Sequence, residues 1–314
     1  MKEPLLSVSE LSVTYEKRIL AVDGVSFTIS SKKRLGLIGE SGCGKSTVAL
    51  SIMRLLPKGT RVVGRIFFEN EDILKTSAST MQKIRGGAIS MIFQEPRSSL
   101  NPVFTIGDQI TETIQIHRKV SKREARKGAE ELLEKVGMSP EKADSYPHSL
   151  SGGMCQRAMI ACALASAPRL LIADEPTTSL DVTIQAQIMN LLCRLSEENR
   201  MALLFITHDL GIIAEMADYV AVMYAGEIVE YAPVYAIFDR AHHPYTRALL
   251  SSMPKLRRRE ERLAEIGGAP PDPLNIPSGC KFHMRCRDKR SQCSFDKPTI
   301  KRVSDNHYVR CLMV

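Results

Sequence analysis

Between a short apolar run, Arg34-Leu-Gly-Leu-Ile38, and a helical stretch over residues 47–56 closed by Pro57 lies the octet Gly39-Glu-Ser-Gly-Cys-Gly-Lys-Ser46. It matches G-x-x-x-x-G-K-[ST], and no other part of the chain constrains the fold as much. A strand, a glycine-rich turn and a helix in that order aim backbone N–H groups and a helix N-terminus at phosphate oxygens. Glycine at 39, 42 and 44 lets the backbone approach a ligand without a Cβ in the way. Lys45 is placed to reach the β- and γ-phosphates of a nucleoside triphosphate and Ser46 to offer its hydroxyl to Mg2+, while Ser41, Cys43 and Thr47 complete the cradle. An ordinary glycine-rich turn is the bland alternative, and placement between strand and helix weighs against it.

The flanking sequence supplies the sheet that such a turn needs. Leu11, Val13 and Tyr15 alternate, as do Val25, Phe27 and Ile29, so residues 5–38 predict an opening antiparallel sheet. From about 86 to 165 the pattern is mainly helical. Ser121-x-x-Glu124 is a capping box, Ala125, Ala129, Leu132, Leu133 and Val136 mark one face, and Gly137 can end the helix. Two buried-strand candidates, 170–173 and 202–206, flank an amphipathic stretch over 182–195, and that alternation predicts a parallel α/β sheet. The first of these strands runs into Asp174 and Glu175. Asp174 suits Mg2+ binding and Glu175 the polarisation of an attacking water. An acidic pair alone could simply cap the next helix; beside the phosphate loop it predicts hydrolysis.

With 314 residues, 44% hydrophobic and 25% charged, the chain has the make-up of a soluble globular protein with one large core and an appended module. The N-terminus lacks the sustained apolar stretch of a signal peptide. The most apolar stretch, 158–173, is interrupted by Pro168-Arg169 and falls short of the roughly 20 residues that span a bilayer. A net charge of +8 would suit nucleic acid or an anionic membrane leaflet and does not choose between them. The run Arg257-Arg258-Arg259, followed by Glu260-Glu261, reads as solvated surface. No internal repeat is visible, which predicts a single copy of the engine.

Of eight cysteines, Cys43, Cys155, Cys162 and Cys193 are scattered, while Cys280-x5-Cys286-x6-Cys293-x17-Cys311 crowd the tail. Four thiolates can hold a [4Fe–4S] cluster or a structural Zn2+. Zinc sites usually use gaps of about two to four residues, so the spacing leans toward iron and sulfur, with Zn2+ as the alternative and unligated thiols as the bland reading. Lys281, Arg285, Arg287 and Arg310 would offset thiolate charge. Pro254, Pro270, Pro271, Pro273 and Pro277 break up this region, which reads as a separate module of loops and short helices.

Leu150-Ser-Gly-Gly-Met154, ahead of a predicted helix, resembles the signature motif of ABC ATPases. The resemblance spans about residues 5–235. It implies an α/β fold: a P-loop ABC ATPase core, with a mixed sheet, an antiparallel β subdomain and a helical subdomain at about 86–165. A small cysteine-containing extension would follow over 236–314. By the same resemblance Tyr15 stacks on adenine, Gln94 contacts Mg2+ or water, and Asp181, in Ser179-Leu-Asp181, communicates across a dimer. His208 contacts the γ-phosphate and aids Glu175, the general base. Ser151, Gly152 and Gly153 close over ATP held by a second ABC ATPase subunit. Cys155 departs from the family, where Arg or Gln is usual.

His242-His-Pro-Tyr-Thr-Arg-Ala-Leu-Leu250, Ile276-Pro-Ser-Gly-Cys-Lys-Phe-His-Met-Arg-Cys286 and Gln94-Glu-Pro-Arg-Ser-Ser-Leu-Asn-Pro102 resemble ATPases of dipeptide and oligopeptide importers. That subfamily has relatives for nickel and other small solutes, and there this cysteine spacing accompanies a [4Fe–4S] cluster. The resemblance implies ATP and Mg2+ as cofactors, a non-identical ATPase partner, two membrane permease subunits and an extracytoplasmic solute-binding protein. It implies a peripheral position on the cytoplasmic face of the cell membrane and no nucleic acid. ABC ATPases of translation carry two ATPase units and those of DNA repair a long coiled coil; neither feature is present in this sequence.

Overall fold

The computed structural model describes residues 3–16, 18–178, 180–253 and 266–314. Ser179 and the run Arg257-Arg258-Arg259 lie outside them. The strands are β1 (Leu6–Tyr15), β2 (Ile19–Ile29), β3 (Arg34–Ile38), β4 (Arg61–Phe68), β5 (Glu71–Asp72), β6 (Ile89–Ile92), β7 (Leu170–Asp174), β8 (Ala202–Thr207), β9 (Tyr219–Tyr224), β10 (Glu227–Pro233), β11 (Lys301–Ser304) and β12 (His307–Val309). The chain divides into two compact units, one of residues 1–29, 34–74 and 206–314, the other of 30–33 and 75–205.

In the first unit β2-β1-β4-β5 form an antiparallel sheet. The predicted alternation holds: Leu11, Val13, Val25, Phe27 and Ile29 are buried, and Tyr15 is half-buried. A second run, ordered β11-β12-β10-β9-β3, carries the phosphate loop. β3 pairs in parallel with β9, from Leu35 opposite Tyr219 to Ile38 opposite Val222. β9 turns into antiparallel β10 through Ala225 and Gly226, both at positive φ. The tail contains more than loops and short helices. Its hairpin β11–β12 adds to the sheet, with Glu230 opposite Val309 and Tyr231 opposite Tyr308.

In the second unit β6 and β7 pair in parallel, from Ile89 opposite Leu170 to Ile92 opposite Ala173. β7 is buried along its whole length, as an uninterrupted apolar run in a parallel sheet requires. The helices Ile106–His117, Lys122–Lys135, Gly152–Leu164 and Val182–Glu198 belong to the same unit. The capping box forms: Glu124 N–H donates to Ser121 Oγ, and Ser121 N–H donates to the Glu124 carboxylate at 2.9 Å. Gly137, at φ 76°, ends that helix. Ala125, Ala129, Leu133 and Val136 are buried, while Leu132 stays half-exposed.

Candidate functional site

In the first unit the phosphate loop leaves β3 and enters the helix Lys45–Ile52, whose N-cap is Gly44 at φ 104°. The three glycines serve different ends. A Cβ at 39 would strike the Met223 carbonyl oxygen and one at 44 the Ala21 carbonyl oxygen, so these two positions are glycine because protein backbone crowds them. Gly42 has open space around it and is glycine for its φ of 76°. The Lys45 side chain is buried, and its Nζ donates to the carbonyl oxygens of Gly39 (2.8 Å) and Glu40 (2.9 Å). Burial pushes the Cys43 thiol up despite the nearby Lys45 charge. Tyr15 and Thr47 share a hydroxyl–hydroxyl bond at 3.2 Å, which ties the opening strand to the first turn of the helix. Ser41, Ser46 and His208 are exposed, and Asp209 caps the helix Leu210–Met216 just after His208.

Sequence reasoning missed three residues that hold this loop. The Glu40 N–H donates to the Tyr245 hydroxyl (3.0 Å), and the Glu40 carboxylate accepts from both terminal nitrogens of Arg285 (2.7 and 2.9 Å). Glu40 occupies an unspecified place in the motif, and Arg285 lies 245 residues away, so no local signal joins them. A cavity of about 280 Å3 borders the loop, walled by Ser41, Gly42 and Cys43 and, from the tail, Pro270, Pro271 and Ile276.

In the second unit the register of β6 against β7 decides the geometry. Ile92 lies opposite Ala173, so the residues just beyond the two strand ends emerge side by side. Gln94 Nε2 donates to Glu175 Oε2 at 3.3 Å. Asp174 closes β7 at 6% exposure, and Glu175 follows at φ 43°, a backbone region that non-glycine residues rarely enter and that recurs at reactive sites. Ser151 caps the helix Gly152–Leu164, accepting from the Met154 N–H, and Asp181 caps Val182–Glu198, accepting from the Ile184 N–H at 2.9 Å. The two caps are neighbours: a Cβ on Gly153 would lie 3.2 Å from Ile184 and one on Gly152 3.6 Å from Leu180. Gln185, also missed from sequence, fixes the turn before Asp181 by donating to the carbonyls of Thr177 and Leu180. Cys155 is fully buried, and its thiol donates to the Pro147 carbonyl, a packing role.

In the tail the thiols of Cys280 and Cys286 are pushed up. Burial, with Cys293, Cys311 and Cys286 adding to it, pushes Cys280 up to about 11, and burial with Asp288, Cys293 and Cys311 pushes Cys286 up. The Cys280 N–H donates to the Cys293 carbonyl at 2.8 Å, and Gly279 packs against that same oxygen. Four cysteine thiols are donors of the type that a thiolate-bound metal centre takes. Among the described residues, however, no group of three or more His, Cys, Asp or Glu has metal-holding geometry. Of the neighbouring cations expected to offset thiolate charge, Lys281 pairs with Asp23 and Glu227, Arg285 with Glu40 and Arg310 with backbone carbonyls.

Residues 22–178 match the family of ABC transporters. The chain belongs to that family, in its ATP-binding branch. Residues 229–293 of this ABC chain also match the C-terminal region of oligopeptide and dipeptide transporters. A Brucella melitensis biotype 1 protein named as a peptide import ATP-binding protein is 46% identical over 329 residues, covering 99% of this chain and 97% of its own. The peptide ABC transporter ATP-binding protein y4tR of Sinorhizobium fredii is 49% identical over 315 residues, covering 98% and 94%. Among solved structures, the dimeric ATP-binding cassette MJ0796 in a post-hydrolysis state with ADP and Pi superposes with a TM-score of 0.66 at 28% identity, covering 73% of this chain and 98% of that one. The fold is therefore the P-loop ABC ATPase fold with its antiparallel β subdomain, and the chain is an ATPase that uses ATP and Mg2+. The expected metal donors, Ser46, Asp174 and Gln94, are all oxygen ligands of the kind Mg2+ takes. Among the described residues no helix is long and apolar enough to cross a membrane.

Proposed function

We propose that this ABC ATPase powers an importer of dipeptides or oligopeptides. The observation that carries the reading is the match of residues 229–293 to the C-terminal region of oligopeptide and dipeptide transporters, joined to relatives named for peptide import. The ATPase part then ends near residue 235, and the extension follows it. The chain then works with a second, non-identical ATPase subunit and two membrane permeases at the cytoplasmic face of the membrane, and an extracytoplasmic binding protein delivers the solute.

In this reading Tyr15 stacks on adenine, the loop from Gly39 to Thr47 wraps the phosphates, and Lys45 bonds the β- and γ-phosphates. Ser46, Asp174 and Gln94 hold Mg2+, which neutralises charge on the phosphate oxygens. Ser151, Gly152 and Gly153 present a hydroxyl and helix N-terminal amides to the nucleotide of the partner subunit. Asp181 couples the two subunits. Glu175 accepts the proton of the attacking water, Gln94 keeps its carboxylate oriented, and His208 bonds the γ-phosphate as the in-line displacement proceeds. The experiment is Glu175→Gln in the assembled transporter. ATP binding is retained, the closed dimer accumulates and turnover falls by about 100-fold or more; unchanged turnover removes Glu175 from the role of base.

For the tail we propose a [4Fe–4S] cluster on Cys280, Cys286, Cys293 and Cys311. The four-cysteine donor set in one short stretch of the tail supports it. When bound, such a centre cross-links the segments that carry its ligands.

A further inference from the structure

The segment between Cys280 and Cys286 is fastened to the phosphate loop by its side chains. Lys281 Nζ donates to the Ala225 carbonyl at 2.9 Å and pairs with Asp23 at 2.9 Å; the neighbouring Gly226 N–H donates to the Cys43 carbonyl inside the loop at 3.0 Å. Phe282, buried, packs against Tyr224 and Tyr245 with ring centroids 5.2 and 5.3 Å away. Arg285 makes the most direct link, gripping the Glu40 carboxylate with two nitrogens while donating to the carbonyls of Ile266 and Gly267. Its side chain is only 6% exposed, and its guanidinium lies 5.8 Å from the Tyr224 ring centroid.

Every polar group of Glu40 is therefore committed. Its N–H goes to Tyr245, its carbonyl receives Lys45 and its carboxylate receives Arg285. That matters because Glu40 places a negative charge in a loop that must accept a polyanion. Unpaired, the carboxylate would repel the triphosphate and compete for Lys45. A bidentate guanidinium both neutralises it and fixes its direction, which an ammonium cannot do.

We propose that Arg285, supplied by the cysteine-bearing tail, is a positioning residue for ATP: it holds Glu40 so that the phosphate loop and Lys45 are set for the triphosphate. The inference rests on the assignment of this loop to ATP, and it extends the tail's role from an appended module to a support of the nucleotide site.

The test measures MgATP affinity of the full-length chain by equilibrium titration below its melting temperature, and ATPase kinetics in the assembled transporter. Arg285→Ala weakens MgATP binding about tenfold and raises KM by a similar factor, with kcat within about twofold of the parent. Arg285→Lys, which keeps the charge and loses the fork, weakens binding about threefold and serves if the alanine variant fails to fold. Adding Glu40→Gln to Arg285→Ala removes the exposed charge and restores affinity to within about threefold of the parent. A purely structural salt bridge would lower the melting temperature of Arg285→Ala and leave its MgATP affinity within twofold, which overturns the proposal. So does an Arg285→Lys variant equal to the parent, or a double variant no better than Arg285→Ala. Lys45→Ala separates the two levels: if it binds MgATP as the parent does, the assignment of the loop fails, whereas loss of binding there with parental affinity in Arg285→Ala sinks the positioning role alone.

Discussion

His243 shows how much a single buried ring can commit. It is 1% exposed, its Nδ1 accepts from the Tyr245 backbone N–H at 3.1 Å, and its backbone N–H donates to the fully buried Glu230 carboxylate, which also accepts from the His242 backbone N–H and meets His307 Nε2 at 2.8 Å. Burial, then the charge of Arg247, pulls the His243 pKa down to about 3. The folded value lies below the ordinary one near 6.5, so acidification lets the unfolded chain take a proton that the folded chain refuses. This contribution to stability is complete above about pH 6.5 and drains away as pH falls toward about 3, at no more than about 1.4 kcal/mol per pH unit for one proton. Denaturant unfolding at a series of pH values should show that slope between pH 6.5 and 5, and His243→Asn, which can still cap the helix Pro244–Ser251, should flatten it. Equal slopes in both proteins would place the titrating group elsewhere. At this scale the motif residues were legible, because Gly-Lys-Ser and Asp-Glu carry their chemistry in adjacent positions. The reasons behind Gly39 and Gly44 were not, since the carbonyls that crowd them come from Met223 and Ala21.

The helix start at Ser121-x-x-Glu124 was readable from sequence, and the same logic extends to the helix Ile106–His117. Thr105 accepts from the Asp108 N–H and donates to its carboxylate at 2.7 Å, while Ile106, Ile110 and Ile114 bury the opposite face. Thr105→Ala should cost about 1 kcal/mol, the usual worth of an N-cap, read as a lower denaturation midpoint at unchanged m-value with MgATP affinity intact. A loss of affinity would mean that this cap serves the site and not only the helix. The predicted strands 170–173 and 202–206 form because uninterrupted apolar runs have no stable place outside a covered parallel sheet. The hairpin β11–β12 escaped prediction for the opposite reason. Lys301-Arg-Val-Ser304 is mostly exposed and too short for a periodicity to register, and it becomes a strand only by pairing with β12, which in turn pairs with β10.

Across the whole molecule, the tail was read as a module set apart whose cysteine spacing points to a metal cluster, and its attachments to the rest of the chain were not legible. Arg285 and Glu40 sit 245 residues apart, and Glu230 of β10 meets Val309 of β12; neither pairing leaves a mark in local sequence. The cluster assignment predicts iron and acid-labile sulfide in equal amounts per chain after anaerobic purification, falling by more than half in Cys286→Ser or Cys311→Ser and unchanged in Cys193→Ser. Zinc in place of iron, or metal content indifferent to these substitutions, would count against it.

The pairing of Glu230 with Val309 also has a consequence for how the chain is made. At about 5–20 residues per second, a ribosome that has released β10 needs several more seconds to deliver the strand that borders it. During that interval the nascent ATPase carries an open sheet edge, so its last segment completes the architecture after most of the nucleotide-binding half has already emerged.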